Sequence, residues 1–326
     1  MISSVRILMA TYNGQNYIQD QIESIINQTY SDWSLIVQDD GSTDDTWSIL
    51  ESFAQRDTRI TIRKSAEEKH GAYCNFHSLA NIEKLSGIQH EYYMFCDQDD
   101  IWDSDKIERM LKQFTSYNDA NPVFCYADMR VIDATGAITT PSICSLQGLK
   151  YVNPESLFFS HIIYGCNTIM NRSAFFSVPI LDISRDWVNI LSHDNLYAKF
   201  SSILGVVKFI PESTMSYRRH TDNVTSKQQY GFSIKRIIQR LRNINELAKD
   251  HALTYNQSLV AIQLLGKDKA SELVKIEKVM RSGGFQAFKY IRNKRISWGN
   301  GTKDISRTAI LFSKLYIRYL FHEDDF

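Results

Sequence analysis

Short β-rich runs alternate with longer helical patterns through the first half of the chain, and this alternation constrains the fold more than any other feature of the sequence. Such a rhythm is typical of βαβ units, in which the strands form a mostly parallel sheet flanked by helices. The predicted strands are Val5–Thr11, Trp33–Asp39, Arg59–Lys64, Tyr92–Asp97 and Val123–Asp128. The sequence therefore predicts an α/β fold with a Rossmann-like sheet.

The character of the chain changes after Ser226. Residues 1–226 carry 18 Lys and Arg against 28 Asp and Glu, whereas residues 227–326 carry 19 against 9. The second region shows helical patterns only, so we predict an α/β domain over 1–226 and a basic helical C-terminal region over 227–326. An acidic body joined to a basic tail suggests different partners for the two parts. The tail could contact anionic lipid, form a homo-oligomer, or serve as a solvated helical cap.

Composition excludes several classes of protein. The 326 residues hold equal numbers of basic and acidic side chains, 37 of each, which argues against a general nucleic-acid binder. Five cysteines without a Cys-x-x-Cys pair favour reduced thiols over disulfides or a zinc site. No signal peptide and no run of 18 uncharged apolar residues are found. We therefore expect a cytoplasmic protein, with peripheral contact to the inner face of the membrane as the alternative.

Turn-forming residues follow the first predicted strand. The segment Ala10–Gly14 puts Thr11, Tyr12 and Asn13 at the carboxyl end of that strand. Ligands bind at this end of the strands in open α/β sheets. An ordinary strand-to-helix turn is the alternative interpretation.

Two adjacent carboxylates, Asp39 and Asp40, end the second predicted strand. Neighbouring carboxylates repel each other, so they need hydrogen-bond donors or a cation to remain ionised together. A helix cap by Thr43 or Asp44 would need only one side chain of this segment. We hypothesise that a carboxylate here accepts the imide N–H of a uracil or thymine ring.

The strongest motif is an acidic cluster, Asp97, Asp99 and Asp100, directly after a run of apolar and aromatic residues. Carboxylates emerging from a buried strand are costly unless they are neutralised. Oxygen ligands two positions apart suit Mg²⁺ or Mn²⁺, which in turn bind the oxygens of a diphosphate. A solvated acidic turn is the alternative.

Two later polar segments complete the candidate chemistry. His193 and Asp194 lie in a helical pattern, where such a pair is usually a satisfied surface pair. The segment 217–220 ends in Arg219 and His220. Because arginine offers a two-pronged donor and neutral imidazole can bind a metal, this segment could serve a phosphate. A basic loop leading to the tail is the alternative.

In their order along the chain, these five motifs resemble those of glycosyltransferase family 2, the GT-A-fold enzymes that use nucleotide-diphosphate sugars. The resemblance covers about residues 4–226. The acidic cluster, the His-Asp pair and the segment 217–220 together are similar to the rhamnosyltransferase-like branch. In the segment 69–76 a glycine–asparagine pattern is also similar to that branch, which implies a donor-site role for Asn75.

The resemblance implies roles for individual residues. The catalytic base would be Asp194. The metal, Mn²⁺ or Mg²⁺, would be bound by Asp97, Asp99 and His220. The nucleotide sugar would be bound by Thr11, Tyr12, Asn13, Asp39, Asp40, Asn75, Asp97 and Arg219.

The implied function is an inverting, metal-dependent glycosyl transfer to a hydroxyl of a growing surface glycan, with dTDP-L-rhamnose as the favoured donor. A transferase for UDP-glucose, UDP-galactose or a UDP-N-acetylhexosamine, extending a glycan on a lipid carrier or a secreted adhesin, is the alternative. A non-catalytic glycan-binding scaffold is a more remote alternative. A nucleotidyltransferase would show a Gly-rich or basic phosphate loop near its start, which Ala10–Gly14 lacks.

Overall fold

The computed structural model describes residues 4–148, 153–161, 163–220, 242–266, 268, 270–299, 301–322 and 325. Its strands are β1 (Val5–Thr11), β2 (Trp33–Asp39), β3 (Ile60–Lys64), β4 (Tyr92–Cys96), β5 (Ile101–Trp102), β6 (Val123–Ile132), β7 (Ile138–Thr140), β8 (Thr168–Asn171) and β9 (Val206–Arg218). Its α-helices are α1 (Ile18–Ile26), α2 (Thr46–Arg56), α3 (Ala72–Leu85), α4 (Lys106–Leu111), α5 (Ile143–Gln147), α6 (Ser156–Phe159), α7 (Arg172–Ser177), α8 (His193–Leu204), α9 (Ile244–Leu265), α10 (Ser271–Ser282), α11 (Gly284–Asn293) and α12 (Gly301–Ser313).

All of these strands join one sheet in the order β3-β2-β1-β4-β8-β6-β9-β5, with β7 paired to β6. The first four strands of the chain are mutually parallel, as the sequence predicts. Beyond them the sheet is mixed, because β8 runs antiparallel to both β4 and β6. The carboxyl ends of β1, β2 and β4 therefore meet at one edge.

The sheet separates two apolar clusters. Alternate side chains of β1 point to opposite faces, so Leu8 packs in one cluster and Ile7 in the other. Helices α1, α2 and α4 cover the face of Ile7, and α3, α7, α8 and α9 cover the face of Leu8. Burial on both faces explains why these strands read as near-continuous apolar runs.

The five strands predicted first are confirmed as β1, β2, β3, β4 and β6, although β6 continues beyond its predicted end. The spacing of apolar residues also predicts a helix around residues 185–202, and this prediction is wrong in its first half. There, Asp186–Ile190 forms a 3₁₀ turn, and α8 begins only at His193. The sequence also predicts a helix over 234–248. This helix and the predicted boundary at 226/227 fall largely on residues outside the described ranges.

The C-terminal helices complete the core on the Leu8 side of the sheet. Leu247, Tyr255 and Leu259 of α9 are buried in the same apolar cluster as Phe158 and Leu196. Helix α9 packs on α6 and α8, and α12 packs on α9 and α11. Within the described residues, no helix combines the length and the apolar character that crossing a membrane requires.

Candidate active site

A cleft of about 1730 Å³ opens at the edge where β1, β2 and β4 end. Its walls also include the loop before α3, the start of α8, the end of β9 and one face of α9. The predicted site residues that line it are Thr11, Tyr12, Asn13, Asp40, Asn75, Asp97, Asp99, Asp194 and His220. Asp39 and Arg219 are not among the lining residues.

A side-chain amide joins the turn after β1 to the acidic motif. The backbone N–H of Tyr12 donates to Gln98 Oε1 at 2.9 Å, and Gln98 Nε2 donates back to the carbonyl of Tyr12 at 2.9 Å. Asn13 adopts a left-handed backbone with φ 46° and accepts a hydrogen bond from the N–H of Thr43 at 2.9 Å. These bonds fix the β1 turn between the β2 and β4 loops.

The adjacent carboxylates after β2 are both satisfied by hydrogen-bond donors. Asp39, which is buried, accepts bonds from Thr11 Oγ1 and from the N–H and hydroxyl of Ser42. Asp40 accepts bonds from His70 Nδ1 at 2.9 Å and from the N–H of Gly71 at 2.8 Å. Asp40 thus faces the cleft in a fixed position. Asp39 does not line the cleft and instead stabilises the loop through its hydrogen bonds with Ser42.

Asn75 ties α3 to the ends of the strands. Its amide nitrogen donates to the carbonyl of Gln38 at 3.1 Å, and its Oδ1 accepts from Gln38 Nε2 at 2.9 Å. The residue is buried although it belongs to the cleft lining. Its contacts give it a structural role in addition to the predicted donor-site role.

Asp99 and His220 meet in the cleft, as a shared metal site requires. His220 Nε2 lies 2.8 Å from Asp99 Oδ2, and the ring of Tyr17 lies 4.6 Å from the imidazole. Two ligands bound at about 2.1 Å on neighbouring corners of an octahedron lie about 3 Å apart. The pair therefore fits a divalent cation of the Mg²⁺ or Mn²⁺ type.

Asp97 groups with other residues. Ligand atoms of Asp97, Asp100 and Cys166 lie within 4.8 Å of one another. Burial raises the pKa of the Cys166 thiol well above its ordinary value, so the sulfur stays protonated and is a poor ligand for an oxygen-seeking cation. The predicted set of Asp97, Asp99 and His220 is thus brought together only in part.

A buried ammonium group lies behind this acidic cluster. Lys106 Nζ donates to the carbonyl of Cys166 at 2.8 Å and lies 4.0 Å from the centre of the Trp102 ring. Burial and the charges of Asp99 and Asp194 raise the pKa of Asp97 to about 7. At neutral pH the Asp97 carboxyl is therefore protonated part of the time.

Asp194 lies in the first turn of α8, where the helix dipole favours an anion. Its Oδ1 accepts hydrogen bonds from the hydroxyl of Ser192 and from the backbone and side-chain N–H groups of Asn195. Burial alone would raise its pKa, but the His193 and His161 rings and these bonds bring the pKa below its ordinary value. Its Oδ2 has no hydrogen-bond partner in the described part of the chain. Asp194 is therefore an ionised carboxylate with one oxygen available to a ligand.

The preceding residue, His193, is an uncharged part of the wall. Its ring stacks on Phe76 with centroids 3.9 Å apart, and burial lowers its pKa to about 4. A Cβ on Gly165 would lie 2.5 Å from His193 Nε2, so only glycine fits beside this ring. The predicted His-Asp pair is thus buried in the cleft rather than exposed on the surface.

Two adjacent arginines at the end of β9 contact different parts of the structure. The side chain of Arg218 turns toward the motif, with Nε 2.9 Å from the carbonyl of Asp99 and Nη2 3.0 Å from Asp20 Oδ2. The backbone N–H of Arg219 donates to the carbonyl of Ile132 at 2.8 Å. The Arg219 guanidinium acts electrostatically on Tyr164, which lines the cleft, and the phosphate-binding role of Arg219 stays a prediction.

Several lining residues are absent from the sequence-based set. They are Tyr17, Tyr73, His161, Tyr164, Thr254, Gln257 and Trp298. Burial and the charges of Asp194 and Asp97 raise the pKa of Tyr73 to about 12, which shows how close this ring lies to both carboxylates. Tyr73 lies in the segment 69–76 that the sequence singles out, whereas no motif marks the other positions, which reach the cleft from elements that are distant in sequence.

Comparison with known proteins identifies the family of this chain. A sequence profile described as Glycosyl transferase family 2 matches residues 6–176. The chain belongs to this family. The resemblance seen in the sequence is therefore confirmed, and the chain is an enzyme that uses nucleotide sugars in glycan synthesis.

Individual members of family 2 are similar to the chain over most of its α/β part. It is 31% identical over 219 residues to the dTDP-rhamnosyl transferase RfbG of Shigella flexneri, which covers 66% of this chain and 72% of RfbG. It is 26% identical over 204 residues to the UDP-Glc:alpha-D-GlcNAc-diphosphoundecaprenol beta-1,3-glucosyltransferase WfgD of Escherichia coli, covering 60% and 72%.

A solved structure of S. aureus TarS, residues 1–349 with UDP-GlcNAc, superposes with a TM-score of 0.53 at 12% identity, covering 98% of this chain and 93% of that one. This likeness concerns the fold, and it confirms the GT-A architecture that the family resemblance implies.

Proposed function

We propose that this family 2 glycosyltransferase moves L-rhamnose, with inversion, from dTDP-L-rhamnose to a hydroxyl of a growing surface glycan. The observation that carries the transfer chemistry is the state of Asp194. One oxygen is held by three donors, and the other is available in the cleft that also contains Asp97 and Asp99. A carboxylate in this state suits a general base that accepts the proton of an attacking hydroxyl.

The cleft supplies the geometry for a single displacement. Asp40 and the β1 turn offer fixed groups for the nucleotide, and Asp97 and Asp99 lie where the diphosphate would follow. Asp194 would deprotonate the acceptor hydroxyl as its oxygen attacks the anomeric carbon. Because one base acts and no covalent nucleophile is assigned, the product of a β-L-rhamnosyl donor would be an α-rhamnoside.

A divalent cation completes the proposed site. Asp99 and His220 would hold it, with Asp97 nearby. When bound, such a cation neutralises negative charge on the departing diphosphate. The Arg218 guanidinium stabilises this region by donating a hydrogen bond to the carbonyl of Asp99.

The donor sugar has two candidates. The 31% identity to RfbG, which is described as a dTDP-rhamnosyl transferase, supports dTDP-L-rhamnose. The similarity to WfgD supports UDP-glucose as the second candidate and a glycan on a lipid diphosphate as the acceptor. Both donors carry a pyrimidine whose imide N–H matches the carboxylate of Asp40.

The outer surface of the C-terminal helices is a candidate contact with anionic lipid or with a second copy of the chain. Phe285 and Phe312 are 69% and 45% exposed, and exposed Lys289 and Arg292 share the helical face of Phe285. Liposome flotation tests the lipid contact, and light scattering of the full chain tests the oligomer.

The function is tested with a donor panel. The purified chain with Mn²⁺ or Mg²⁺ is mixed with p-nitrophenyl glycosides of one to three sugars, and nucleotide-diphosphate release is scored for dTDP-rhamnose, UDP-glucose, UDP-galactose and UDP-N-acetylglucosamine. Release from dTDP-rhamnose alone, lost in Asp99→Ala, is the expected result. Release from a UDP-sugar would overturn the rhamnose assignment and keep the mechanism.

A further inference from the structure

The cleft is too large for the donor alone. Pockets that enclose one small molecule usually measure about 300–1,000 Å³, whereas this cleft measures about 1730 Å³. The additional space lies beyond Asp194, between the loop of His161 and Tyr164 and helices α9 and α12. The matched family profile ends at residue 176, so α9 lies outside the part of the chain that defines the family.

One face of α9 forms a polar stripe along this space. Glu246, Asp250, Thr254 and Gln257 all line the cleft, and their spacing of four, four and three residues puts them on one side of the helix. Eleven residues of α-helix extend about 16 Å, a length that matches two to three sugar rings rather than one. Apolar surface comes from Trp298, which lines the same space.

Gln257 connects this stripe to the proposed base. Its Oε1 accepts a hydrogen bond from the backbone N–H of Ser192 at 3.4 Å, and the hydroxyl of Ser192 donates to Asp194. Because that bond engages the oxygen, the orientation of the amide is set, and Nε2 is the free end. Nε2 has no hydrogen-bond partner among the residues that the structure describes, while the side chain is 93% buried and lines the cleft.

We propose that the α9 stripe binds an oligosaccharide acceptor and that Gln257 selects it by donating to a sugar oxygen next to the attacking hydroxyl. The inference rests on the proposed function, since it needs Asp194 to act on an acceptor. An amide N–H that lines the cleft without a partner among the described residues favours a ligand that accepts a hydrogen bond there. The remaining groups of the stripe then contact the second and third rings.

The test uses the full chain and the p-nitrophenyl glycosides of one to three sugars. Gln257→Leu removes both the oxygen that accepts the Ser192 N–H and the N–H groups that face the cleft. We therefore expect the acceptor KM to rise about tenfold or more, while the dissociation constant of the nucleotide diphosphate stays at the wild-type value. Gln257→Glu keeps an oxygen for the Ser192 N–H and loses the donor, so it should raise the acceptor KM as well. Gln263→Leu, an exposed change on the same helix, is the matched control.

Chain length gives an independent readout. The wild-type chain should show a lower KM for the trisaccharide than for the monosaccharide, and Thr254→Val should reduce that difference. An unchanged acceptor KM in both Gln257 variants would overturn the assignment, and so would equal KM values for one and three sugars. If the wild-type chain instead releases no nucleotide diphosphate from any donor, the proposed function itself fails, a result distinct from either of these.

Discussion

At the scale of single residues, hydrogen bonding and burial give the carboxylates of the cleft different environments. Asp40 and Asp194 each receive several donors, whereas Asp97 is buried beside other acidic groups and its pKa is raised to about 7. Hydrogen-bond donors therefore hold Asp40 and Asp194 in fixed positions, as their proposed roles in base recognition and proton abstraction require. A third position is left where a cation would be stabilised.

The amide of Gln98 leaves no room for a side chain on Gly14. A Cβ at that position would collide with the Gln98 amide, which is held by its two bonds to Tyr12. We expect Gly14→Ala to lower the free energy of unfolding by about 1–3 kcal/mol, a typical cost of overpacking. Urea denaturation of Gly14→Ala, Gln98→Ala and the double variant measures this.

In the double variant the collision is gone, so the two effects should not add. A double variant whose loss equals the sum of the single losses would show that Gly14 acts independently of the amide.

A buried histidine in α9 makes stability depend on pH. His251 is fully buried against Tyr255 and Tyr316, and both ring nitrogens lack a partner in the described ranges. Burial lowers its pKa well below the ordinary value of about 6.5. As pH falls below about 6.5, the unfolded chain gains a proton that the folded chain does not. The free energy of unfolding therefore decreases.

His251→Phe removes this dependence and fills the same space. Between pH 7.5 and 5 we expect the variant to lose about 2 kcal/mol less of its free energy of unfolding than the wild type. Urea denaturation at both pH values measures it. His322→Phe, at an exposed site, should behave as the wild type, and the idea is wrong if His251→Phe shows the wild-type pH dependence.

At the scale of elements, the sequence predicts the parallel strands well because their burial on both faces leaves a plain apolar signal. The bounds of β1 and β2 are those predicted. Short elements such as α6, with four residues, carry too little periodicity to be found. The start of α8 is also missed, because a 3₁₀ turn over Asp186–Ile190 continues the helical spacing of the sequence.

The tight entry into β9 depends on a glycine. A Cβ on Gly205 would collide with the carbonyl oxygen of Pro122, which also accepts the N–H of Val206 at 2.9 Å. We expect Gly205→Ala to lower the free energy of unfolding by about 1–3 kcal/mol and Tm by about 1.5–4.5 °C, measured by calorimetry. The neighbouring exposed change Leu204→Ala is the control. A Tm for Gly205→Ala equal to that of the control would contradict the collision.

At the scale of the whole molecule, the site is predictable from sequence mainly at the strand ends, on the proposed donor side. Motifs at strand ends, such as Asp97 and Asp99, mark that side because parallel strands share one edge. The acceptor side has no comparable signal. Gln257 and Trp298 reach the cleft only because α9 and the segment before α12 fold back over α8.

The shared core makes the two predicted regions interdependent. Helix α9 buries Leu247, Leu259 and Ile262 in the cluster that contains Leu196. Each such side chain contributes about 1.5–3 kcal/mol, so their joint loss approaches the 5–15 kcal/mol that stabilises a typical domain. We expect a chain truncated after Ser226 to lose cooperative thermal unfolding, measured by calorimetry. A truncated chain that unfolds cooperatively and binds nucleotide diphosphate would establish an independent α/β domain.

The central claim is that Asp194 removes the proton of the acceptor hydroxyl. Its most direct test is the turnover of Asp194→Asn, with the exposed Asp182→Asn as the matched control. We predict that Asp194→Asn lowers kcat about 10²–10⁴-fold, with the dissociation constant of the nucleotide diphosphate unchanged and the control active. Turnover of Asp194→Asn within tenfold of the wild type would contradict the account.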